Sequence, residues 1–391
     1  MRTLLAVCLS AGIAAAQFAV GTRDVGWPNT TGQGAATLTA RVHYPAVAAG
    51  TNAAILPLAG GWPTVVFLHG FASPGTLYSA IGNAWAARGF VVVVSTTSTF
   101  DNVGQERDGR ALYPAVVAAA ASGPFAGAID TGRIGIAGHS MGGGNVGNVL
   151  ADNPGYRCGF AIAPVDPRPG NGALVREPIA IVAGQGDTIA PANTYAVPYY
   201  QSLTAVEGVR SLYLLNGDAS HTNLAGLFAT SGAAAQVFAR VVDAGEAFFS
   251  HWLGLSTTAL ERCIGPAALA ETRLAAQSLT VTVPQVWLQA PLTVGATSRV
   301  SVAAEPGLAG VAAALGLGGP TATPFGSFLL DGSTAYVALL GLAGAERRYD
   351  GSTTIPNDPA FLGLGIALQA FGTTPGGELR FGNALALQVG A

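Results

Sequence analysis

Lysine is absent from this chain of 391 residues: all 18 basic residues are arginines. Charge of either sign is scarce, at 10% of residues, and the formal net charge is −3. Without a basic stripe, nucleic acid and anionic membrane surfaces are excluded as natural partners. Histidine is also rare, with five residues, and no His/Cys/Asp/Glu cluster has metal-ligand spacing. No metal or organic cofactor is therefore expected, and EDTA is expected to have little effect on activity. Long apolar runs are missing after the first residues, so no membrane span is expected in the body of the chain. The N-terminus itself reads as an export signal. Arg2 supplies the charge, Leu4 to Ala15 the short apolar stretch, and Ala14-Ala15-Ala16 an A-x-A site with cleavage before Gln17. A secreted or periplasmic protein follows from that pattern.

Cysteine is nearly absent too. Removing residues 1–16 removes Cys8 and leaves Cys158 and Cys263. In an oxidising compartment this pair is open to a disulfide. It would close a loop of about 100 residues, worth about 4–5 kcal/mol in the chain-entropy model. Two separate buried thiols are the alternative.

What is present is apolar periodicity. Half of the residues are hydrophobic, and the length predicts two domains. Thr37 to Tyr44 alternates like a half-buried strand. Thr64 to Leu68, Val91 to Ser95, Arg133 to Ala137, Gly159 to Ala163, Pro178 to Ala183 and Ser211 to Leu215 are short apolar runs suited to a sheet covered on both faces. Helical segments fall between them: around Leu77 to Trp85, from about Glu106 to Ala121, Met141 to Asp152, Tyr195 to Ala205 and Ala233 to Leu253. The alternation predicts a doubly wound, mostly parallel α/β sheet over 17–266. After Pro266 the period changes to two. Leu279 to Val283, Arg299 to Val302 and Ala335 to Leu339, with turn signals such as Asp331-Gly332, predict a smaller all-β, sandwich-like domain over 267–391.

The chemistry centres on Gly138-His139-Ser140-Met141-Gly142. In a chain with 54 glycines, G-x-S-x-G arises readily by chance. Its setting is more specific: a strand directly before and a helix directly after, the arrangement that exposes a serine on a strained elbow. Such a nucleophile needs a base, an acid orienting that base, and donors for the oxyanion. His221 lies in the polar loop after the last core strand, where the order Ser, acid, His requires the base. His43 and His69 sit in or at the end of strands, His139 inside the elbow, and His251 in an apolar helix. Asp187, in the turn after the strand Pro178 to Ala183, is the preferred acid. Asp166 is the runner-up, and Asp218 is too close to His221 in sequence to face it well. The backbone N–H groups of Phe71 and Met141 are the expected oxyanion donors, with the Phe71 side chain lining the acyl site.

Together, Gly70-Phe-Ala-Ser, GHSMGGG from Gly138 to Gly144, GQGDTIAP from Gly184 to Pro191 and GDASH from Gly217 to His221 resemble the bacterial polyester hydrolases. These are the cutinase-like and PET-hydrolase-like enzymes, related to dienelactone hydrolases and chlorophyllases. The similarity runs from about Val42 to Cys263. It implies an α/β-hydrolase fold, ester hydrolysis on short-chain or polymeric substrates, Ser140, Asp187 and His221 as triad, and Phe71 and Met141 as oxyanion donors and subsite lining. Two positions depart from the family pattern. Val165 stands where a substrate-lining Trp is usual, which weakens the implication of aromatic polyesters, and Phe71 stands for the usual Tyr. Ser140 argues against dienelactone hydrolase activity, which uses Cys.

The C-terminal part, with the runs Asp358 to Leu364 and Gly382 to Val389, resembles β modules that end exported bacterial proteins. Binding of polymer or cell surface and simple stabilisation are its alternative roles. Few residues separate Ala163 from Pro178, so no cap domain fits there and an open cleft is expected. The rivals are a serine peptidase or amidase of the same fold, and a non-catalytic surface-binding protein with a relict hydrolase domain.

Overall fold

A computed structural model describes residues 17–152, 155–165, 168–228 and 231–391. The expected export signal with Cys8, and Asp166, lie outside the described residues. The chain divides into two compact units that part between Thr280 and Val281.

The first unit is built on one ten-stranded sheet. Its strands are β1 (Ala19–Pro28), β2 (Thr37–Ala46), β3 (Gly50–Thr51), β4 (Trp62–Leu68), β5 (Val91–Ser95), β6 (Ile129–His139), β7 (Gly159–Ile162), β8 (Ile179–Gly184), β9 (Val209–Leu215) and β10 (Leu274–Val281). Across the sheet they run β10-β9-β8-β7-β6-β4-β5-β2-β1-β3. β4 to β9 are mutually parallel, whereas β2 is antiparallel to β5 and β1 to β2. This is the α/β-hydrolase fold. Sequence periodicity missed β1, whose residues Thr22 to Val25 are polar or only half-buried. The expected boundary at 266/267 also differs from the observed division. β10 pairs beside β9 and is held to the first unit by a Tyr200–Thr280 hydroxyl hydrogen bond of 2.7 Å and by Gln277 donating to the Cys263 carbonyl at 2.9 Å.

The two faces of the sheet are covered by different helices, as β4 illustrates. Successive side chains on a strand point to opposite faces. Phe67 packs on Tyr78 (5.1 Å between ring centroids) and on Trp85 of α1 (Ser79–Ala86). Its neighbour Leu68 instead lies against Gly109 of α2 (Asn102–Ala121), near Val149 of α3 (Met141–Ala151). Trp85 is fully buried, donates its indole N–H to the Val242 carbonyl at 3.0 Å, and stacks edge-on with Phe160 and with Phe249 of the long helix Gly232–Trp252. The parallel strands are apolar throughout because both faces are dry: Val91 to Val94, Ile136, Phe160 and Ile181 have essentially no exposed surface.

The second unit is all-β, with a three-stranded, a four-stranded and a two-stranded antiparallel sheet between Gln285 and Gln388. Its core is aliphatic, around Val286, Leu288, Val300, Val302, Val311 and Leu368. One face carries an open groove of about 310 Å³ lined by Phe325, Phe328, Tyr336, Val337, Phe381 and Arg380. Phe381 stacks with both Phe325 and Phe328.

The structure corrects one expectation: Cys158 and Cys263 are both free. Each thiol has its own dry site. Cys158 immediately precedes β7 and lies beside Gly135 of β6, next to Phe249, whereas Cys263 ends the short helix Leu260–Cys263 against the Ala244 carbonyl. Burial pushes both thiols upward, Cys263 to about 12. Alkylation of the denatured protein without reductant is therefore expected to label both residues, and dithiothreitol to leave Tm unchanged. Protection of either thiol would reveal a bridge.

Candidate active site

The strand order dictates where the chemistry sits. From β4 the chain moves outward to β5, then returns to the other side of β4 for β6 and continues to β9. The reversal opens a crevice at the carboxyl ends of β4 and β6. The backbone is strained along this edge. Among the described residues, four of the six non-glycine residues with positive φ follow consecutive core strands: Ala72 (56°) after β4, Ser98 (54°) after β5, Ser140 (58°) after β6 and Ala163 (43°) after β7. Conformations of this kind cluster at functional sites.

Ser140 joins β6 to α3 with φ 58° and ψ −120°. Close approach makes the turn possible: a Cβ on Gly142 would run into the Leu68 carbonyl. Gly144 N–H donates to the Ser140 carbonyl at 3.0 Å. The N–H of Met141, the first residue of α3, precedes the first intrahelical bond and points from the positive end of the helix. Across the crevice, Phe71 follows Gly70 at the end of β4, and a Cβ on Gly70 would lie 3.3 Å from that of Ser140. Val165 N–H also donates to the Ser140 carbonyl, at 3.0 Å.

His221 meets a carboxylate: its Nδ1 lies 2.8 Å from Asp187 Oδ2, with both side chains buried. The loops meet because a Cβ on Gly184, at the end of β8, would collide with the Ala219 carbonyl of the His221 loop. The other oxygen, Asp187 Oδ1, accepts the N–H groups of Ile189 at 2.9 Å and Ala190 at 2.7 Å. Burial alone would raise this carboxyl. The His221 hydrogen bond and the two backbone donors outweigh it, so Asp187 lies below the usual aspartate value of 3.8. Asp218 instead pairs with Arg273 at 2.6 Å. His43 binds Asn83 at 2.8 Å, and His69 binds the Thr97 carbonyl at 2.8 Å. Among the described residues, no group of three or more His, Cys, Asp or Glu is arranged to hold a metal.

Around the crevice the surface is apolar. Phe71 is 57% exposed, Phe100 71% and Ile189 63%, and the Phe71 and Phe100 rings meet edge to face at 5.8 Å. Sequence reasoning missed Phe100 and Ile189. Phe100 is a lone apolar residue in a polar loop that the fold brings beside Phe71, and Ile189 lies two residues after Asp187, whose Oδ1 accepts its N–H. It also missed the hydrogen bonds of Tyr78 and His139, which no linear spacing announces.

The fold and this edge define an α/β-hydrolase with a serine elbow and a buried His–Asp pair. The chain matches the family described as "PETase: PET hydrolase-like" over residues 8–251, and it belongs to that family. It is 31% identical over 163 residues to a bis(hydroxyethyl) terephthalate hydrolase of Streptomyces coelicolor, covering 41% of this chain and 51% of that one. It is 32% identical over 157 residues to cutinase 2 of Thermobifida cellulosilytica (38% and 58% covered) and to cutinase cut1 of Thermobifida fusca (38% and 48%). The chain thus spans about half the length of these curated relatives.

A depressed carboxyl stabilises the fold while it is ionised. Its contribution is complete above the unfolded value and is lost as pH falls through the folded one. In urea unfolding, the stability gap between wild type and Asp187→Asn is expected to be widest above about pH 5 and to shrink below about pH 4. A gap independent of pH would remove the carboxylate's role in it.

Proposed function

We propose that the chain is a secreted carboxylic-ester hydrolase acting through Ser140, His221 and Asp187 on short-chain and polymeric esters. The observation that carries the reading is the buried His221–Asp187 bond of 2.8 Å on the strand edge that also bears the left-handed Ser140 elbow. Ser140 Oγ attacks the ester carbonyl as His221 Nε2 takes its proton. Asp187 holds Nδ1–H and stabilises the imidazolium. The oxyanion is received by the Met141 and Phe71 N–H groups. Collapse expels the alcohol, protonated by His221, and leaves an acyl-Ser140 ester. Water, activated by the same His221, then releases the acid and restores the serine.

The exposed Phe71, Phe100 and Ile189 surface suits an extended ester chain lying in an open cleft. An aromatic diester such as the one named for the Streptomyces relative fits this surface. Ser140→Ala is expected to lower hydrolysis of p-nitrophenyl butyrate and of bis(hydroxyethyl) terephthalate by about 10⁵–10⁶-fold. Equal rates in both proteins would defeat the nucleophile assignment. Absence of turnover in both would favour a surface-binding protein.

We assign the C-terminal unit to contact with the polymer. Its groove joins stacked phenyl rings to Arg380, for which no acidic partner is found among the described residues, and this chemistry suits an aromatic chain ending in carboxylate. Phe381→Ala in the full chain is expected to reduce adsorption to amorphous polyester film several-fold and leave kcat/KM on soluble esters unchanged. Unaltered adsorption would remove the groove from polymer binding.

A further inference from the structure

His139 has no part in the mechanism above, yet it is buried at the centre of the site. Its ring packs on the His221 ring, with centroids 4.5 Å apart, and on the Tyr78 ring at 5.7 Å. Two hydrogen bonds run through it and a third extends the chain: Tyr78 Oη to His139 Nδ1 at 2.9 Å, His139 Nε2 to the His221 carbonyl at 3.0 Å, and Gly70 N to Tyr78 Oη at 2.8 Å.

Elimination orders the protons. A carbonyl only accepts, so His139 Nε2 carries a hydrogen. Burial, reinforced by the neighbouring His221, pushes His139 down to about 3, so the ring is neutral and Nδ1 is a bare acceptor. Burial pushes the Tyr78 phenol up to about 12, so it keeps its proton and donates it to Nδ1. The phenol oxygen then accepts from Gly70 N–H. The relay has one direction, Gly70 N–H to Tyr78 O–H to His139 to the His221 carbonyl. It links the end of β4, the elbow after β6 and the loop after β9, the three segments that carry Phe71, Ser140 and His221.

We propose that Tyr78 and His139 are positioning residues, whose hydrogen-bond relay holds the Phe71 amide and the His221 backbone in register with Ser140. The inference rests on the roles given above to Ser140, His221 and Phe71. An oxyanion donor works only when aimed at the developing charge, and a misplacement of about 1 Å costs about a hundredfold. Gly70, the residue before the donor, is fixed between Tyr78 Oη and the Ser140 side chain, which lie 2.8 and 3.3 Å from the place its Cβ would occupy. A neutral His139 also spares the catalytic imidazolium a second cation against its face.

The test uses the full chain and p-nitrophenyl butyrate. Tyr78→Phe keeps the ring and removes the hydroxyl, leaving the Gly70 N–H and His139 Nδ1 unpaired. Its kcat is expected to fall about ten- to a hundredfold with KM within about twofold. Affinity for a boronic acid that forms a tetrahedral adduct with Ser140 is expected to fall in parallel. His139→Gln offers an amide oxygen to Tyr78 and an amide N–H to the His221 carbonyl, and is expected to recover most of the rate that His139→Leu loses. Wild-type kcat and boronate affinity in Tyr78→Phe would overturn the proposal. So would a rate loss that follows only a lowered Tm, with His139→Gln as impaired as His139→Leu. If His139→Leu does not fold, Tyr78→Phe and His139→Gln decide. Ser140→Ala, run alongside, separates the two layers: turnover retained there defeats the nucleophile reading, whereas an inert Ser140→Ala beside a fully active Tyr78→Phe defeats only the relay.

Discussion

The left-handed backbone at Ser140 is the constraint on which the rest of the site depends. With φ at 58°, the chain reverses from β6 into α3 within a single residue. A non-glycine residue held there costs of order 1–3 kcal/mol and persists only where its surroundings over-determine it. Here they do. The Ser140 N–H donates to the Ile162 carbonyl at 3.0 Å, and its carbonyl accepts from both Gly144 and Val165. Gly142 lies so close to the end of β4 that no side chain fits. The same closeness sets the end of β4 beside the serine, so one packing constraint serves both the elbow and the opposite wall of the crevice.

Polar groups buried in this region are costly unless paired, and the pairing is where the site acquires its rigidity. Asp187 uses both oxygens, one on His221 and one on the Ile189 and Ala190 amides. His139 uses both ring nitrogens. His69, beneath, is held by the Thr97 carbonyl and by Gln105, whose amide oxygen in turn accepts from Asn145 at 3.0 Å. None of these groups can rotate without leaving a partner unsatisfied. The rigidity therefore comes from hydrogen-bond saturation in a dry environment, while the sheet below supplies only the platform.

Much of this was legible in the sequence because it is carried by local signals. The strand–turn–helix setting around Ser140 is local in sequence. The order Ser140, Asp187, His221 follows from chain order in a parallel sheet, since successive strands present their carboxyl ends to one edge. The rest was not legible, for physical reasons. Cys158 and Cys263 look like a pair in a list of residues, but the packing of the helix Gly232–Trp252 gives each a separate apolar site. β10 alternates like the strands that follow it, and only the unpaired edge of β9 recruits it to the larger sheet. Tyr78 sits 61 residues from His139, and its partnership depends on the turn before α1 folding back onto Phe67 of β4.

Val165 is a local departure from the family pattern on this edge. After β7, where the family resemblance implies Trp, this chain has a smaller aliphatic side chain. Across the crevice, Phe71 and Phe100 meet at 90° and expose most of their rings. Edge-to-face geometry leaves one ring face open to a flat partner. Exposed aromatic surface on this edge is carried by the loop after β5, which includes the strained Ser98. That loop is anchored by Ser98 donating to Asp108 at 2.5 Å and by Asp101 capping α2. Phe100 therefore projects from a fixed base between two anchored residues. A ring presented this way loses little side-chain entropy when a flat group lies against it, so such a contact costs less than one to a mobile aromatic would.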